Sequence, residues 1–233
     1  MAFAYIQGAK AENISPVVTG ITATIGNVII VFGFINANGL TLTISDTQGN
    51  TWFASAATVS PGVGTSARMW WCIAKNSLAT TITIAGGGSN GSIVVAEYSG
   101  NDQTASAGDG GIGASGTNNG AVDNITTGNV LTTVAGDLIV GAVVNTNSLS
   151  AFNAGTGETN RPNSSFLVST FGMVSLEDKV QGAAGNIAST WTLAANSDTY
   201  IAFEQTIKAP AVAGLSTPGG AGRIFKLHPV PWG

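Results

Sequence analysis

The clearest pattern of apolar and polar positions lies in residues 80–100. Residues 81–84 alternate threonine and isoleucine, which is typical of a strand with one buried face. Residues 86–91 predict a turn, because glycine and asparagine adopt positive φ angles at little cost. Residues 93–96 are continuously apolar, which indicates a strand covered on both faces. The stretch therefore predicts a β-hairpin.

The same order of strand, turn and strand recurs in residues 189–204, near the end of the chain. Glu204 follows an apolar run there, as Glu97 does in the first hairpin. Residues 136–145 also echo residues 26–31, about 110 positions earlier. Because these echoes come in the same order with similar offsets, we expect an internal duplication.

The rest of the chain reads as short strands with turn signals about every 8–12 residues. No apolar period of 3.6 residues persists, so helices are not expected. We predict an all-β fold, a jelly-roll-like antiparallel β-sandwich with an internal pseudo-twofold duplication and an extended C-terminal tail. The body would span residues 1–208. Its halves, roughly residues 1–100 and 121–208, would be joined by a Gly/Ser/Asn-rich loop over residues 101–120, followed by the tail at 209–233.

The composition indicates what kind of surface such a body exposes. Apolar residues make up 44% of the chain, whereas charged residues make up only 9%. Threonine, serine, asparagine and glycine supply most of the polarity, and the densest charge cluster is at residues 177–179. Because a surface with so little charge is poorly protected against self-association, we expect partner subunits to cover much of it, most simply in a homo-oligomer.

Several classes of function are disfavoured. The net charge of −4 and the lack of a basic cluster in the body argue against nucleic-acid binding. No apolar run approaches the roughly 20 residues that span a bilayer, and the start of the chain does not resemble a signal peptide. The single cysteine, Cys72, excludes an intrachain disulfide. These features predict a protein made in a cytoplasm without a membrane partner.

Candidate catalytic groups are few. Glu97 and Glu204 could form the carboxylate pair of a glycoside hydrolase, although a duplicated hairpin would repeat such a glutamate as scaffold. The only histidine, His228, lies in the tail, and Cys72 is expected to be a buried apolar side chain. Asp46 and Asn50 have oxygen ligands for calcium, but both are also common turn residues. We therefore predict no catalytic residue, metal or cofactor.

Aromatic residues offer a different possibility. Trp52, Trp70 and Trp71 could bind glycans by stacking on sugar rings, or they could form a structural aromatic layer. Successive side chains of a strand point to opposite faces. One of Trp70 and Trp71 is therefore expected in the core, and the other towards solvent or an interface.

The tail differs in kind from the body. Residues 209–221 form a Pro/Gly-rich linker, and residues 222–233 combine apolar and basic side chains with two prolines that favour an extended form. Extended peptides of this kind dock on grooves or sheet edges of other subunits. The predicted docking residues are Arg223, Ile224, Phe225, Lys226, Leu227, His228, Val230 and Trp232.

Four segments together resemble a known family: NGLTLTISDTQGNTW, ARMWWCIAKN, TTITIAGGGSNGSIVVAEYSG and AGDLIVGAVV. The chain from roughly residue 26 to residue 208 is similar to a β-sandwich module of bacteriophage virion proteins, found in accessory capsid, head-fibre and tail-associated proteins and in some bacterial surface proteins. These motifs are turns and strands, so they specify fold more than activity. The family implies no catalytic residues, and the tail lies outside the resemblance.

The resemblance implies a non-enzymatic structural protein, most simply a capsid decoration or accessory protein. It would be made in the host cytoplasm, located in the virion, and attached to capsid or tail subunits through its tail. The alternative is a tail-fibre or adhesin module that binds surface glycans through exposed tryptophans. A third class, a β-sandwich glycan hydrolase, requires Glu97 and Glu204 close together in a cleft.

Overall fold

The computed structural model describes residues 2–12, 17–60, 64–88, 90–104, 107–118, 122–146, 152–161, 166–167, 173–194 and 198–210. The predicted docking residues of the tail lie outside these ranges. All regular elements in the described ranges are β-strands, as the sequence predicted. Within them there is no helix that could cross a membrane.

The described part of the first half forms two antiparallel sheets. Central sheet 1 has the strand order β1-β8-β3-β6-β5, and outer sheet 1 has the order β2-β7-β4. The strands are β1 (Ala4–Glu12), β2 (Val17–Thr22), β3 (Val28–Ile35), β4 (Thr43–Asp46), β5 (Phe53–Ala54), β6 (Ser66–Ile73), β7 (Ala79–Ala85) and β8 (Gly91–Ser99).

The described part of the second half repeats this plan. Central sheet 2 has the order β9-β19-β12-β16-β14, with β15 also paired to β16, and outer sheet 2 has the order β10-β18-β13. A further pair joins β11 and β17. The strands are β9 (Gly108–Asn118), β10 (Val122–Thr126), β11 (Val130–Thr132), β12 (Leu138–Thr146), β13 (Phe152–Ala154), β14 (Thr159–Asn160), β15 (Phe166–Leu167), β16 (Met173–Val180), β17 (Gly185–Ile187), β18 (Thr190–Ala194) and β19 (Asp198–Ile207).

The strand orders and one hydrogen-bond pattern confirm the duplication. Gly26 N–H donates to the carbonyl of Ala74, whose own N–H donates to Asn27, both at 2.9 Å. In the second half, Gly136 N–H donates to the carbonyl of Gln181 at 2.7 Å, and Gln181 N–H donates to Asp137 at 2.8 Å. Gly26 and Gly136 have φ angles of 84° and 91°, which glycine adopts without a Cβ clash. These turns align β3 with β12.

The halves pack through their central sheets. Alternate side chains of both central sheets, among them Ile30, Phe32, Val140 and Phe203, form one apolar core between the sheets. The opposite faces pack against outer sheets 1 and 2 in two further cores. The molecule is therefore a four-layer stack of two sandwiches rather than a single pair of sheets.

This layering explains the two hydrophobic patterns in the sequence. All eight residues of β3 are buried, because one face meets the central core and the other meets outer sheet 1. In β7, Ile82 and Ile84 are buried while Thr81 faces solvent. Residues 93–96 of β8 are likewise buried, so the expected strand covered on both faces and the expected half-buried strand are both confirmed. The predicted β-hairpin at residues 80–100 is wrong, because β7 pairs with β2 and β4 in outer sheet 1 whereas β8 pairs with β1 and β3 in central sheet 1.

The expected loop over residues 101–120 is wrong. Residues 108–118 form β9, which pairs with β19 along the edge of central sheet 2. A Cβ atom at Gly111 would overlap the carbonyl oxygen of Ser55, and one at Gly113 would lie 2.5 Å from the Phe203 ring. The glycines thus permit close approach to Ser55 of the first half and to the Phe203 ring on the paired strand β19, whereas the low-complexity pattern suggested a solvated linker.

A polar contact joins the halves at one side of the central core. Arg161 makes a bidentate ion pair with Asp178, whose side chain is only 3% exposed. The Tyr98 hydroxyl donates to Asp178 at 2.6 Å, and the Arg161 guanidinium lies 4.9 Å from the centre of the Tyr5 ring. Strands β1 and β8 of the first half are therefore tied to β16 of the second.

Gly111→Ala should lower the free energy of unfolding by about 1–3 kcal/mol, because β9 and the Ser55 backbone would have to separate. Urea unfolding would measure this change. Gly182→Ala is the matched control, since a Cβ there meets nothing within 4 Å and its φ is not positive. Equal stability of the two variants would contradict the close packing of β9.

Arg161→Met should destabilise the protein by about 3 kcal/mol, because it leaves the Asp178 carboxylate buried without its cation. Lys10→Met is the control, since the Lys10–Glu12 pair is partly exposed and its loss should cost less than about 1 kcal/mol. Chemical denaturation of both variants at pH 7 provides the comparison. A similar loss in the two would show that the buried Arg161–Asp178 ion pair contributes little to stability.

Candidate functional site

A row of carboxyl groups crosses the inside of the second sandwich. Gly141, in β12, pairs with Glu177 on β16 and with Glu204 on β19. The adjacent residues Leu176 and Phe203 point into the central core, so this row faces outer sheet 2. Both glutamates have no exposed surface. Two carboxyl groups thus flank a glycine in the layer between central sheet 2 and outer sheet 2.

Trp191 of β18 covers this row. A Cβ atom at Gly141 would lie 2.9 Å from Cζ2 of Trp191 and 2.5 Å from Cβ of Ser189. Glycine is therefore required for the indole to pack between the two glutamates. The indole is 1% exposed, and its Nε1 has no hydrogen-bond partner among the described residues.

Glu204 connects central sheet 2 to the ends of two strands of outer sheet 2. Its Oε2 accepts hydrogen bonds from Ser189 N–H at 2.5 Å and from the Thr127 hydroxyl at 2.9 Å. Burial raises the pKa of Glu204 to about 7, and the hydrogen bonds limit the rise. Its Oε1 has no partner in the described part of the chain.

Glu177 forms a carboxyl pair with Glu158. Burial, followed by the hydrogen bond and the negative charge of Glu158, raises the pKa of Glu177 to about 10. Gly155 N–H donates to Oε2 of Glu177 at 3.1 Å, and Nζ of Lys179 lies 3.2 Å from Oε1 of Glu158. This raised pKa favours, at neutral pH, a Glu177–Glu158 pair that shares one proton, with Lys179 beside the Glu158 carboxylate.

The first half builds the same row without charge. With Gly26 aligned to Gly136, Gly141 corresponds to Val31, whose partners in the ladder are Trp70 and Val95. These three apolar residues are almost completely buried. Because the first half forms the same strand order with apolar residues at these positions, the fold itself does not require the carboxyl groups of the second half.

Sequence reasoning missed this site. The cluster at residues 177–179 stood out by charge, but the structure separates its members: Glu177 and Lys179 face outer sheet 2, whereas Asp178 faces the first half. When residues 26–31 are aligned with residues 136–141, Gly141 takes the position of Val31. The change from a β-branched residue to glycine is the sequence feature that could have indicated a difference between the two halves at this site.

The equivalence expected for Glu97 and Glu204 is wrong by two residues. Glu97 pairs with Ile29, which corresponds to Ile139, and Ile139 pairs with Thr206. Thr206 is therefore the counterpart of Glu97. The two glutamates still face outwards from their central sheets because a shift of two residues preserves the face of a strand.

Glu97 and Glu204 also do not form a carboxylate pair. Glu97 lies between central sheet 1 and outer sheet 1, where Thr24 N–H and Asn27 Nδ2 donate to Oε1 at 2.8 and 2.7 Å and Gln7 Nε2 donates to Oε2. Glu204 lies on the far side of both central sheets. A glycoside hydrolase that uses this pair is excluded by the layering.

The tryptophans proposed for glycan binding are largely inside the protein. Trp70 and Trp71 are 3% and 6% exposed and face the outer and central cores, respectively. Their opposite orientation is confirmed, but the expectation that one of them faces solvent or an interface is wrong, because sheets cover both faces of β6. Trp71 stacks on Phe53 at 4.6 Å between ring centres. Trp52 is half-buried, and its Nε1 donates to Asp46 at 2.6 Å. The three rings do not share an exposed face.

The remaining candidates have structural contacts. The Asp46 carboxylate accepts hydrogen bonds from Gln48 N–H at 2.6 Å and Asn50 N–H at 3.2 Å, which is the use expected of a turn residue. Cys72 is buried, and burial raises the pKa of its thiol. The described residues contain no group of three or more His, Cys, Asp or Glu side chains that could hold a metal ion. His228 lies outside the described ranges.

A scan of the chain against protein-family models finds no match, and searches of curated proteins and of solved structures find none either. Fold and site are therefore interpreted from the contacts of this chain. Its two halves supply an internal comparison, and that comparison singles out the row around Gly141.

Burial limits what the carboxyl row can do. Proton transfer to a substrate would require hydrogen-bond reach between a carboxyl group and the reacting atom. Trp191 and outer sheet 2 cover the row, so substrate has no such access in this conformation. The physical consequence is a coupling between protonation and the stability of the second sandwich.

Glu177→Gln should reduce the dependence of stability on pH. The pKa of Glu177 is about 10 in the folded protein against 4.5 in the unfolded chain, so its stabilising effect is complete below about pH 4.5 and is lost as pH rises towards 10. The loss can reach about 1.4 kcal/mol per pH unit. Urea unfolding between pH 5 and 9 should show that the free energy of unfolding of the variant increases relative to that of the wild type as pH rises.

The partly exposed Glu12 provides the matched control, and Glu12→Gln should leave the pH profile of the wild type unchanged. Parallel profiles for Glu177→Gln and the wild type would show that Glu177 is ionised in the folded protein. That result would contradict the shared proton.

Proposed function

We propose that this protein is a non-enzymatic structural component of a bacteriophage particle, acting as a capsid decoration or accessory protein. The body serves as a rigid spacer or cover, and the C-terminal arm, residues 222–233, docks on neighbouring capsid or tail subunits. The observation that carries the proposal is the enclosure of the reactive and aromatic side chains within the layers of the body.

That enclosure supports a structural role in a direct way. Glu177, Glu204, Cys72 and Trp191 are almost completely buried. An enzyme must bring such groups within reach of substrate, and a glycan-binding face must expose aromatic rings. With Trp70 and Trp71 also buried, the glycan-binding alternative has less support.

The surface of the body supports association with other subunits. The outer face of β7 exposes threonine rather than lysine or glutamate, and the whole chain is only 9% charged. Several large apolar side chains are also exposed among the described residues, which favours contact with partners. They are Ile6, Ile25, Leu78, Leu131, Val134 and Val180.

The arm supports attachment through a peptide. It carries five large apolar side chains, two basic residues and no acidic residue. Burial of side chains such as Phe225 and Trp232 can contribute about 1.5–3 kcal/mol each. Many copies in a symmetric array would then act together through avidity. This arrangement fits a homo-oligomeric or multi-copy component of a virion.

Deletion of residues 222–233 should leave the body folded but reduce its incorporation into particles at least about tenfold, since avidity depends on the arm. Particles purified by density gradient can be assayed by immunoblot, and thermal unfolding of the isolated protein reports on the body. Gly182→Ala, at an exposed bend of the body where an added Cβ meets nothing within 4 Å, is the control and should retain incorporation. Normal incorporation of the truncated chain would overturn the anchoring role.

A further inference from the structure

A cleft of about 440 Å³ lies where the chain leaves the body. Ile25 and Asn27, in the turn between β2 and β3, form one wall of it. Gly100 and Gln103, after β8, form another, and Pro210, after β19, completes it. We call this depression the exit cleft, because Pro210 is the residue from which the C-terminal tail continues.

Exposed apolar side chains border the exit cleft. Ile25 is 62% exposed, and its N–H donates to the Ser77 hydroxyl at 2.9 Å, which places the adjacent Leu78 nearby. Leu78 is 57% exposed. Among the described residues, only Leu131, in the second half, is a large apolar residue with comparable exposure, at 59%. Ile25 therefore gives the cleft an exposed apolar edge, and the hydrogen bond to Ser77 brings the exposed residue Leu78 close to that edge.

Hydrogen bonds fix the point at which the tail begins. Ala209 N–H donates to Oδ1 of Asp137 at 2.9 Å, and Lys208 N–H donates to the carbonyl of Ala107 at 2.7 Å. The Lys208 carbonyl in turn accepts from Asp102 N–H at 2.9 Å. The tail thus starts from a defined position in the wall of the cleft.

The length of the tail allows its distal part to return to the cleft. Twelve residues, 211–222, separate Pro210 from the apolar segment at 223–232, and they are rich in glycine and alanine. A flexible linker of this length has a root-mean-square span of roughly 17–21 Å. The resulting effective concentration of the segment at the cleft is on the order of millimolar.

Charge also favours an encounter between tail and body. The tail after Pro210 contains two of the eight basic residues and none of the twelve acidic ones, so residues 1–210 carry a formal charge of −6. Asp102, whose N–H fixes Lys208, lies beside the cleft residue Gln103. An apolar segment with basic residues therefore matches both the apolar rim and the charge of the body.

We propose that the exit cleft binds the segment 223–232 of the same chain in the isolated protein. The apolar anchors of the arm then pack on Ile25 and Leu78 rather than remaining in water before assembly. The inference rests on the proposed function only in treating this segment as a docking peptide. It assigns a receiving surface on the body, which the proposed function does not.

Disulfide trapping in the full-length chain tests this binding. Ile25→Cys combined with Gly233→Cys should give an intramolecular cross-link under mild oxidation at low micromolar protein. Leu131→Cys with Gly233→Cys is the control because Leu131 is similarly exposed but lies in the second half. The native Cys72 is completely buried. We expect the Ile25 pair to form at least about tenfold faster, measured by non-reducing electrophoresis and mass spectrometry.

Two further variants sharpen the result. Leu78→Cys with Gly233→Cys should cross-link as fast as the Ile25 pair, and adding Phe225→Ser and Trp232→Ser should reduce both rates to that of the control. Equal rates at Ile25, Leu78 and Leu131 would overturn the proposal, as would cross-links that form only between two copies. Because the experiment uses the isolated protein, it can fail while particle incorporation still depends on the arm.

Discussion

The fold depends on the face-to-face packing of two central sheets. Each of these sheets also packs against an outer sheet, so strands such as β3 have no solvent-facing side and consist almost entirely of apolar residues. Burial on both faces removes more apolar surface from water than a single sandwich would allow. It also explains how a chain with only 9% charged residues can form a large, well-packed body.

Duplication gives this molecule an internal control. The two halves share strand order and the turns at Gly26 and Gly136, yet one closes around Val31 and the other around Gly141 with its flanking glutamates. Burial of the carboxyl groups is unfavourable unless they are protonated or hydrogen-bonded. The second sandwich therefore couples its stability to pH, whereas the corresponding apolar row of the first contains no titratable group.

The closed body and the chemistry of the arm lead to complementary proposals. A body that buries the carboxyl groups of Glu177 and Glu204, the thiol of Cys72 and the indole of Trp191 is suited to a structural role, with recognition left to surface apolar residues and to the tail. The exit cleft lies where these two features meet, beside Ile25 and Pro210. In these proposals the segment binds its own body before assembly and a neighbouring subunit after assembly, as in domain swapping.

The sequence by itself determined the two strands within residues 80–100, the all-β class and the repeat of the strand plan, because strand periodicity and turn residues are local signals. Tertiary structure decided which sheet covers each face, since an apolar run does not specify its partner. Packing also made a strand of the glycine-rich residues 108–118, and the pairing of distant strands set the registers of Glu97 and Glu204. The carboxyl row around Gly141 arises from such pairing, because its members are far apart along the chain.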